Sequence, residues 1–183
     1  MNVDYINLSQ DLLSETVFSK SKVRADAFGN KFELFLPLYF SKEHFQRALP
    51  FIRKTIFRLC SPPAKGHSRQ FEPLMVLDVL PKIVNTFAVL LADEGISASR
   101  KSFDGLLRMH RLFLALAQEY PTIKKEALTR LQNFVANEKY RIKTACPSLG
   151  SVLPLLMVVD EQDFNWRRLG PHFVGETLDR GVL

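Results

Sequence analysis

The histidines and cysteines are the residues of this sequence whose chemistry would best serve catalysis or metal binding. No two histidines are spaced four residues apart, and none lies near a cysteine at the spacing of a zinc site. Cys60 and His67 come closest, across a proline-rich loop, and would lack further ligands. We therefore assign no metal ligand, no catalytic residue and no cofactor. The full set is His44, His67, His110, His172, Cys60 and Cys146.

His110 lies in an apolar stretch, GLLRMHRLFLALAQEYP, between two arginines. Helical spacing predicts that His110 faces the core and makes one hydrogen bond, while the arginines face solvent. A catalytic base would need a cleft and an orienting carboxylate, and Asp78 and Asp104 both stay open as partners. No glycine-rich phosphate loop or nucleophile elbow accompanies it. The sequence leans away from an enzyme without excluding one centred on His110.

The remaining candidates have simple structural interpretations. Cys60 and Cys146 are far apart, and we expect buried free thiols, which fit a reducing compartment. His172 and Glu176 lie one helical turn apart and predict a surface ion pair. The start, MNVDYINLSQ, has neither the basic region nor the apolar run of a secretion signal. We expect an intracellular location, cytoplasmic or nuclear.

Two clusters combine basic and aromatic residues, and they supply the predicted binding residues. Such clusters suit the backbone and bases of single-stranded nucleic acid, or an acidic protein partner, and they also occur on solvated helix faces. The net charge of +6 is spread along the chain, which favours no single partner class. The predicted residues are Arg47, Phe51, Arg53, Lys54, Phe57, Arg58, Lys139, Tyr140, Arg141, Lys143 and Trp166.

The elements that would position these residues are helices. Apolar periodicity predicts an all-α fold, an irregular bundle of roughly six to eight helices with a central apolar helical hairpin. The hairpin would pair residues 73–92 with residues 99–120. We also expect a helix over residues 4–18, and a helix from Ser41 to about Cys60 with a kink or break before Pro50. The apolar residues that recur at helical spacing in the second of these helices are Phe45, Leu49, Ile52, Ile56 and Leu59. The run FELFLPLYF predicts one short extended segment near residues 32–38.

The two hairpin helices carry specific expectations. In the first, Asp78 and Lys82 are four residues apart, in the order that favours an ion pair. In the second, a wide set of apolar residues predicts the inner face. The residues expected to face inward are Phe103, Leu106, Leu107, His110, Phe113, Leu114 and Ala117, with Met109, Leu112, Leu116 and Tyr120 widening the stripe.

Length and composition fit one helical domain over residues 1–183. Within it, residues 1–30 would form an N-terminal helix and loop, and residues 31–183 the helical core. The longest uncharged run contains two prolines and is shorter than the ~20 residues a membrane helix needs, so we expect no membrane span. The last residues, LDRGVL, stop within an apolar patch, and we expect a piece of a longer protein. The sequence makes no prediction of oligomeric state.

Several stretches together resemble an uncharacterised helical region of large multidomain eukaryotic proteins. They are LPLYFSKEHFQRALPFI, VLPKIVNTFAVLLADEGISASRKSFDGLLRMHRLFLALAQEYP, ACPSLGSVLPLLMVV and LDRGVL. The resemblance runs from about residue 32 to the end and rests on helix-packing residues. Some proteins of that kind carry ubiquitin-conjugating-type domains elsewhere. The resemblance implies a module that binds or braces, and it transfers no functional residue.

The sequence therefore leads to a non-catalytic helical protein–protein interaction or scaffolding domain of a larger intracellular protein. One alternative is binding of RNA or single-stranded DNA through the basic helices. The other is an enzyme or accessory domain of a ubiquitin-type signalling protein. We expect a protein partner, with nucleic acid as the second possibility.

Overall fold

In a computed structural model of the chain, the described residues are 8–11, 15–20, 29, 31–60, 70–94 and 100–181. Helices make up most of these residues, so the predicted all-α class is confirmed. The contacts group into two compact units, Met1–Met75 and Val76–Leu183. The predicted inner boundary after residue 30 does not coincide with this division, because a strand before residue 30 pairs with a strand after it.

The described part of the first unit contains two short strands and two helices. In chain order they are β1 (Leu8–Asp11), α1 (Glu15–Lys20), β2 (Leu34–Pro37) and α2 (Lys42–Cys60). The strands are parallel, with Leu8 opposite Leu34. Parallel strands need a crossover connection, and this one contains α1.

The strand pair changes one prediction and confirms another. The helix predicted over residues 4–18 is wrong within the described part, where residues 8–11 form a strand and α1 begins only at Glu15. The strand at residues 8–11 pairs with residues 34–37, which lie far along the chain, so local helical spacing did not reveal the strand. The extended segment expected near residues 32–38 is confirmed by β2.

The helix α2 begins at the predicted cap and buries the predicted face. The Ser41 Oγ atom accepts a hydrogen bond from the backbone N–H of His44 at 3.2 Å, which satisfies a donor of the first turn. The predicted break does not occur: α2 continues through Pro50, which lies on its exposed side. Thr55 Oγ1 donates to the carbonyl of Phe35 at 2.5 Å and joins α2 to β2. The buried residues of α2 are Phe45, Ala48, Leu49, Ile52, Thr55, Ile56 and Leu59.

The regular elements in the described part of the second unit are all helices, and one of them, at Pro121–Ala136, forms its centre. Its elements are α3 (Met75–Glu94), α4 (Arg100–Glu119), α5 (Pro121–Ala136), two 3-10 helices (Glu138–Tyr140 and Leu149–Met157) and α6 (Trp166–Asp179). The backbone of α5 lies close to α4, to the second 3-10 helix and to α6. The backbones of α4 and α5 are in closer contact than those of α3 and α4, which the sequence paired.

The core of the second unit comes from one face of each helix. The first half of α3 contributes, as do the inner face of α4 and the apolar residues of α5 and the 3-10 helix Leu149–Met157. Its fully buried side chains include Leu80, Met109, Leu112, Phe113, Leu116, Ile123, Leu131, Phe164 and Leu169. Burial of each such side chain stabilises the folded state by about 1.5–3 kcal/mol. The buried face of α4, with Met109, Leu112, Phe113 and Leu116, therefore fixes the orientation of that helix.

Candidate functional site

The outer face of α4 carries an apolar stripe that the fold leaves partly uncovered. Phe103, Leu107 and Leu114 are 37%, 48% and 36% exposed. Their spacing of four and seven residues places them on one side of the helix. We call these three residues the α4 stripe. Large exposed apolar groupings on a helix are typical of a surface that another molecule covers.

The α4 stripe corrects the sequence prediction of the inner face. Phe103, Leu107 and Leu114 were all expected to face the core, and they do not. Phe113 and Ala117 of the predicted stripe are buried as expected. The other buried side chains of α4 come from residues expected only to widen that face, with Met109, Leu112 and Leu116 fully buried. The helix is rotated relative to the prediction because apolar residues surround more than half of it, and the packed half was not specified locally.

His110 shares the outward side of α4 with the stripe. It is half-buried rather than buried, and within the described residues it makes no hydrogen bond or ion pair. The predicted core histidine with one hydrogen bond is therefore not observed. A catalytic base would need an orienting carboxylate, and none of the described residues provides one.

Basic residues lie along the margin of the α4 stripe. Arg100, Arg108 and Arg111 are exposed. Between Arg100 and Arg111 the sequence contains one carboxylate, Asp104, which is also exposed. The margin of the stripe is therefore positively charged and would attract acidic groups on a partner.

The second half of α3 also exposes apolar residues. No residue from Asn85 to Asp93 is buried, and Val89 is 49% exposed. By length and composition alone, Met75–Asp93 would be able to cross a membrane, with a mean hydropathy of 1.8. Its first half is packed in the core and carries Asp78 and Lys82, features that fit a core helix.

The predicted binding residues of α2 form a stripe in the first unit. Arg47, Phe51, Lys54 and Arg58 are exposed at spacings of four, three and four residues, which places them on one face. We call these four residues the α2 stripe. The other two predicted residues are half-buried: Phe57, and Arg53, whose guanidinium lies 6.0 Å from the centre of the Phe71 ring.

The other predicted binding residues lie in the second unit, and two of them have structural contacts. Arg141 Nη1 donates to the carbonyls of Phe134 and Val135, at 2.9 and 3.1 Å, and so caps the end of α5. Trp166 packs on the Phe173 ring, with centroids 6.0 Å apart, and is half exposed. Lys139, Tyr140 and Lys143 are exposed, with the Lys139 ammonium 5.3 Å from the centre of the Tyr140 ring.

A largely buried ion pair holds the segment between α5 and the second 3-10 helix. Arg180 Nε contacts Glu176 at 2.8 Å, and its two terminal nitrogens donate to the carbonyls of Cys146 and Arg141. Glu176 therefore pairs with Arg180 and not with His172, contrary to the sequence prediction. Three contacts to one guanidinium fix the backbone around Cys146.

That segment forms one wall of a cavity of about 420 Å³. The cavity lies within the second unit, between α3, α5 and the chain from Tyr140 to Leu155. Its apolar lining includes Leu77, Phe134, Pro147, Val152 and Leu155; its polar lining includes Asp78, Lys82, Glu126, Arg130, Asn133, Tyr140, Cys146, Ser148 and Ser151. The volume falls in the range of small-molecule sites.

The charges in the cavity are paired differently from the prediction. Asp78 was expected to pair with Lys82, but Arg130 Nη1 contacts the Asp78 carboxylate at 3.0 Å, and Arg130 Nε contacts Glu126 at 3.1 Å. Lys82 makes no ion pair with any residue that the structure describes. The partner of Asp78 therefore comes from α5, a helix that the spacing of residues along α3 could not reveal.

Cys146 also lines the cavity, and its environment disfavours the thiolate. Burial raises the pKa of the Cys146 thiol, and the nearby Arg180 guanidinium only partly opposes that effect. The protonated thiol is therefore favoured, and a thiolate is the form a nucleophile needs. Neither Cys60 nor Cys146 forms a disulfide, and both are half-buried, where buried thiols were predicted.

Within the described residues, no group of three or more histidines, cysteines, aspartates and glutamates is arranged to hold a metal ion. His67, which the sequence placed nearest to Cys60, lies outside them. Comparison of the chain with protein-family models, with curated proteins and with solved structures finds no match. The resemblance to a helical region of multidomain proteins therefore stays a prediction.

Sequence reasoning missed the two features that define the candidate sites. The α4 stripe had one available signal, because the apolar arc of α4 is wider than a single packed face requires. No sequence signal indicated that Lys82 lies on a cavity wall, because the other walls come from α5 and the chain from Tyr140 to Leu155, which meet α3 only in the folded unit.

Proposed function

We propose that this chain is a non-catalytic helical interaction domain of a larger intracellular protein, and that the α4 stripe binds an amphipathic helix of an acidic protein partner. The main support for this proposal is the exposure of Phe103, Leu107 and Leu114 on one side of a helix whose other side is buried. Apolar anchors at such spacing match a partner helix whose own apolar residues recur every three or four positions.

The charge of the stripe margin supports an acidic partner. Arg100 and Arg108 are exposed beside the stripe, and Asp104 is the one carboxylate in the same part of the helix. Rim charges of opposite sign speed association and select the partner, while the apolar contacts at the centre supply most of the affinity. A helix with apolar residues on one side and glutamates at its edges would satisfy both requirements.

A pair of synthetic helical peptides tests this proposal. Both carry the same leucine face, and they differ only in having glutamate or lysine at its edges. Fluorescence anisotropy is expected to give a Kd at least about tenfold lower for the glutamate peptide. Leu107→Asp is expected to weaken that binding by about tenfold or more, because it places a charge in the apolar contact.

The matched control is Phe51→Asp in the α2 stripe. Phe51 is 44% exposed, which is close to the exposure of Leu107. The Phe51→Asp variant should leave peptide binding unchanged. Equal affinity for the two peptides, or equal loss in the two variants, contradicts the proposal. A concentration-dependent dimer that Leu107→Asp abolishes would assign the stripe to a second copy. Binding to anionic vesicles but not to the glutamate peptide would assign it to a membrane surface.

The α2 stripe favours a second candidate function, binding of RNA or single-stranded DNA. It places Arg47, Lys54 and Arg58 along one exposed face, with the Phe51 ring available for stacking on a base. Binding to oligothymidine should weaken steeply as salt rises. Arg47→Glu combined with Arg58→Glu should lower the salt slope by about 1.4. A flat salt dependence would exclude this candidate.

A further inference from the structure

The cavity of the second unit has an apolar base and a polar upper wall. Leu77, Phe134, Val152 and Leu155 are all buried. The polar residues that line the cavity are half-buried or exposed, so they lie nearer to solvent. A small molecule with an apolar body and one polar end has the shape of this lining.

The polar wall has spare hydrogen-bond donors. The Ser151 hydroxyl is already engaged, because it donates to the carbonyl of Ser148 at 2.7 Å. By contrast, the side chains of Lys82, Asn133 and Ser148 make no hydrogen bond to any residue that the structure describes. Half-buried donors without partners are satisfied by water or by a ligand acceptor.

Within the described part of the chain, the ion pairs of the wall leave one ammonium without a carboxylate partner. Arg130 contacts both Asp78 and Glu126, so its positive charge is already offset by two carboxylates. Lys82 has no carboxylate partner among the described residues. A single ammonium beside two nearby carboxylates suits an anion of one charge better than a doubly charged phosphate.

We propose that this cavity binds a small organic carboxylate, with its apolar body against Leu77, Val152 and Leu155 and its carboxylate on the Lys82 ammonium. The Asn133 amide and the Ser148 hydroxyl donate further hydrogen bonds to the carboxylate. Binding is non-covalent and involves no reaction at the Cys146 thiol on the same wall. This site is independent of the α4 stripe and of the partner proposed for it.

Octanoate is the probe, and octanamide, which has the same chain without the charge, is its neutral match. Isothermal titration calorimetry gives the affinities, and the backbone amide signals of Asn133, Ser148 and Ser151 locate the site by NMR. Octanoate is expected to bind about tenfold more tightly than octanamide. Inorganic phosphate, which lacks an apolar body, is expected to leave these signals unchanged.

Lys82→Met removes the charge while keeping an unbranched side chain. It is expected to reduce octanoate binding about tenfold and to leave octanamide binding unchanged. Lys125→Met is the matched control, because Lys125 is exposed on α5 and does not line the cavity. Equal binding of the two probes, or no effect of Lys82→Met, would overturn the proposal, and so would saturable binding of phosphate.

Ala145→Trp tests the cavity separately from the charge. Ala145 is an exposed lining residue, so tryptophan there takes up space at the edge of the cavity without replacing a core side chain. Binding of both octanoate and octanamide is expected to disappear while the thermal midpoint Tm of the free protein is kept. Unchanged binding in this variant, or shifts confined to the α4 stripe, would show that the probes bind elsewhere.

Discussion

The helices α2 and α4 have nearly the same length, 19 and 20 residues, and each buries one apolar face, yet their outer faces differ in one respect. The outer face of α2 is basic, with Phe51 as its one exposed aromatic residue. The outer face of α4 also exposes arginines, but beside them it carries the three apolar residues of the α4 stripe. Charged side chains on a helix stay hydrated at little free-energy cost, whereas exposed apolar side chains gain free energy when a partner covers them. The comparison therefore favours α4 as the surface for the proposed docking, whereas the exposed face of α2 is stable in water without a partner.

The largest expected effects come from the inner faces, where the two helices should behave alike. Ile52→Ala in α2 and Leu112→Ala in α4 should each lower the free energy of unfolding by about 2–5 kcal/mol, because both side chains are fully buried. Leu114→Ala, on the α4 stripe, should lower it by under about 1 kcal/mol. Urea denaturation measures all three. A loss at Leu114 as large as that at Leu112 would mean that the stripe is part of the core.

The outer faces should differ in their affinity for a neutral hydrophobic dye. Replacing Phe103, Leu107 and Leu114 together by serine should clearly reduce the fluorescence enhancement of Nile red, since it removes an exposed apolar surface that the dye can contact. Phe51→Ser should change the enhancement little, because basic residues surround that ring. Equal reductions in the two variants would remove the distinction between the faces.

A smaller effect is expected at the start of α2. Ser41→Ala should lower the free energy of unfolding by about 1 kcal/mol, because the backbone N–H of His44 loses its acceptor. Ser41→Asp keeps an acceptor oxygen and serves as the control, with stability close to that of the native chain. If alanine and aspartate give the same stability, the cap does not contribute.

The smallest effect is a pH dependence at the same helix end. Hydrogen bonds from its backbone N–H and from Ser41 lower the pKa of Glu43 below its ordinary value of 4.5. A lowered pKa in the folded state stabilises the protein above pH 4.5, and that contribution is lost as the pH falls through the folded-state pKa. The stability difference between the native chain and Glu43→Gln should therefore shrink in acid. A difference that stays constant with pH would contradict this assignment.

The sequence predicted α2 more accurately than α4, for a physical reason. Along α2 the apolar residues repeat on one narrow face, so Phe45, Ile52 and Ile56 were correctly placed in the core. Around α4 they cover more than half the circumference, and two faces compete for burial. Only the packing of α4 against α5 and its neighbours selects the face with Met109 and Leu112, and that choice is not written in the local spacing.

Contacts between distant segments account for the other differences. The spacing of Asp78 and Lys82 predicted a local ion pair, but Arg130, from a different helix, is the partner of Asp78. The strand at residues 8–11 likewise depends on a partner at residues 34–37. The cavity was beyond prediction for the same reason, since its walls come from three separate parts of the chain.

The most direct test of the account is a map of where the glutamate-edged peptide binds on the ¹⁵N-labelled protein. Amide chemical-shift changes measured by NMR during the titration report the contacted residues. The account predicts that the largest changes cluster around Phe103, Leu107 and Leu114 and disappear in Leu107→Asp. Changes clustered on Arg47, Lys54 and Arg58 instead would contradict it, because the basic face of α2 and not the apolar face of α4 would then be the docking surface.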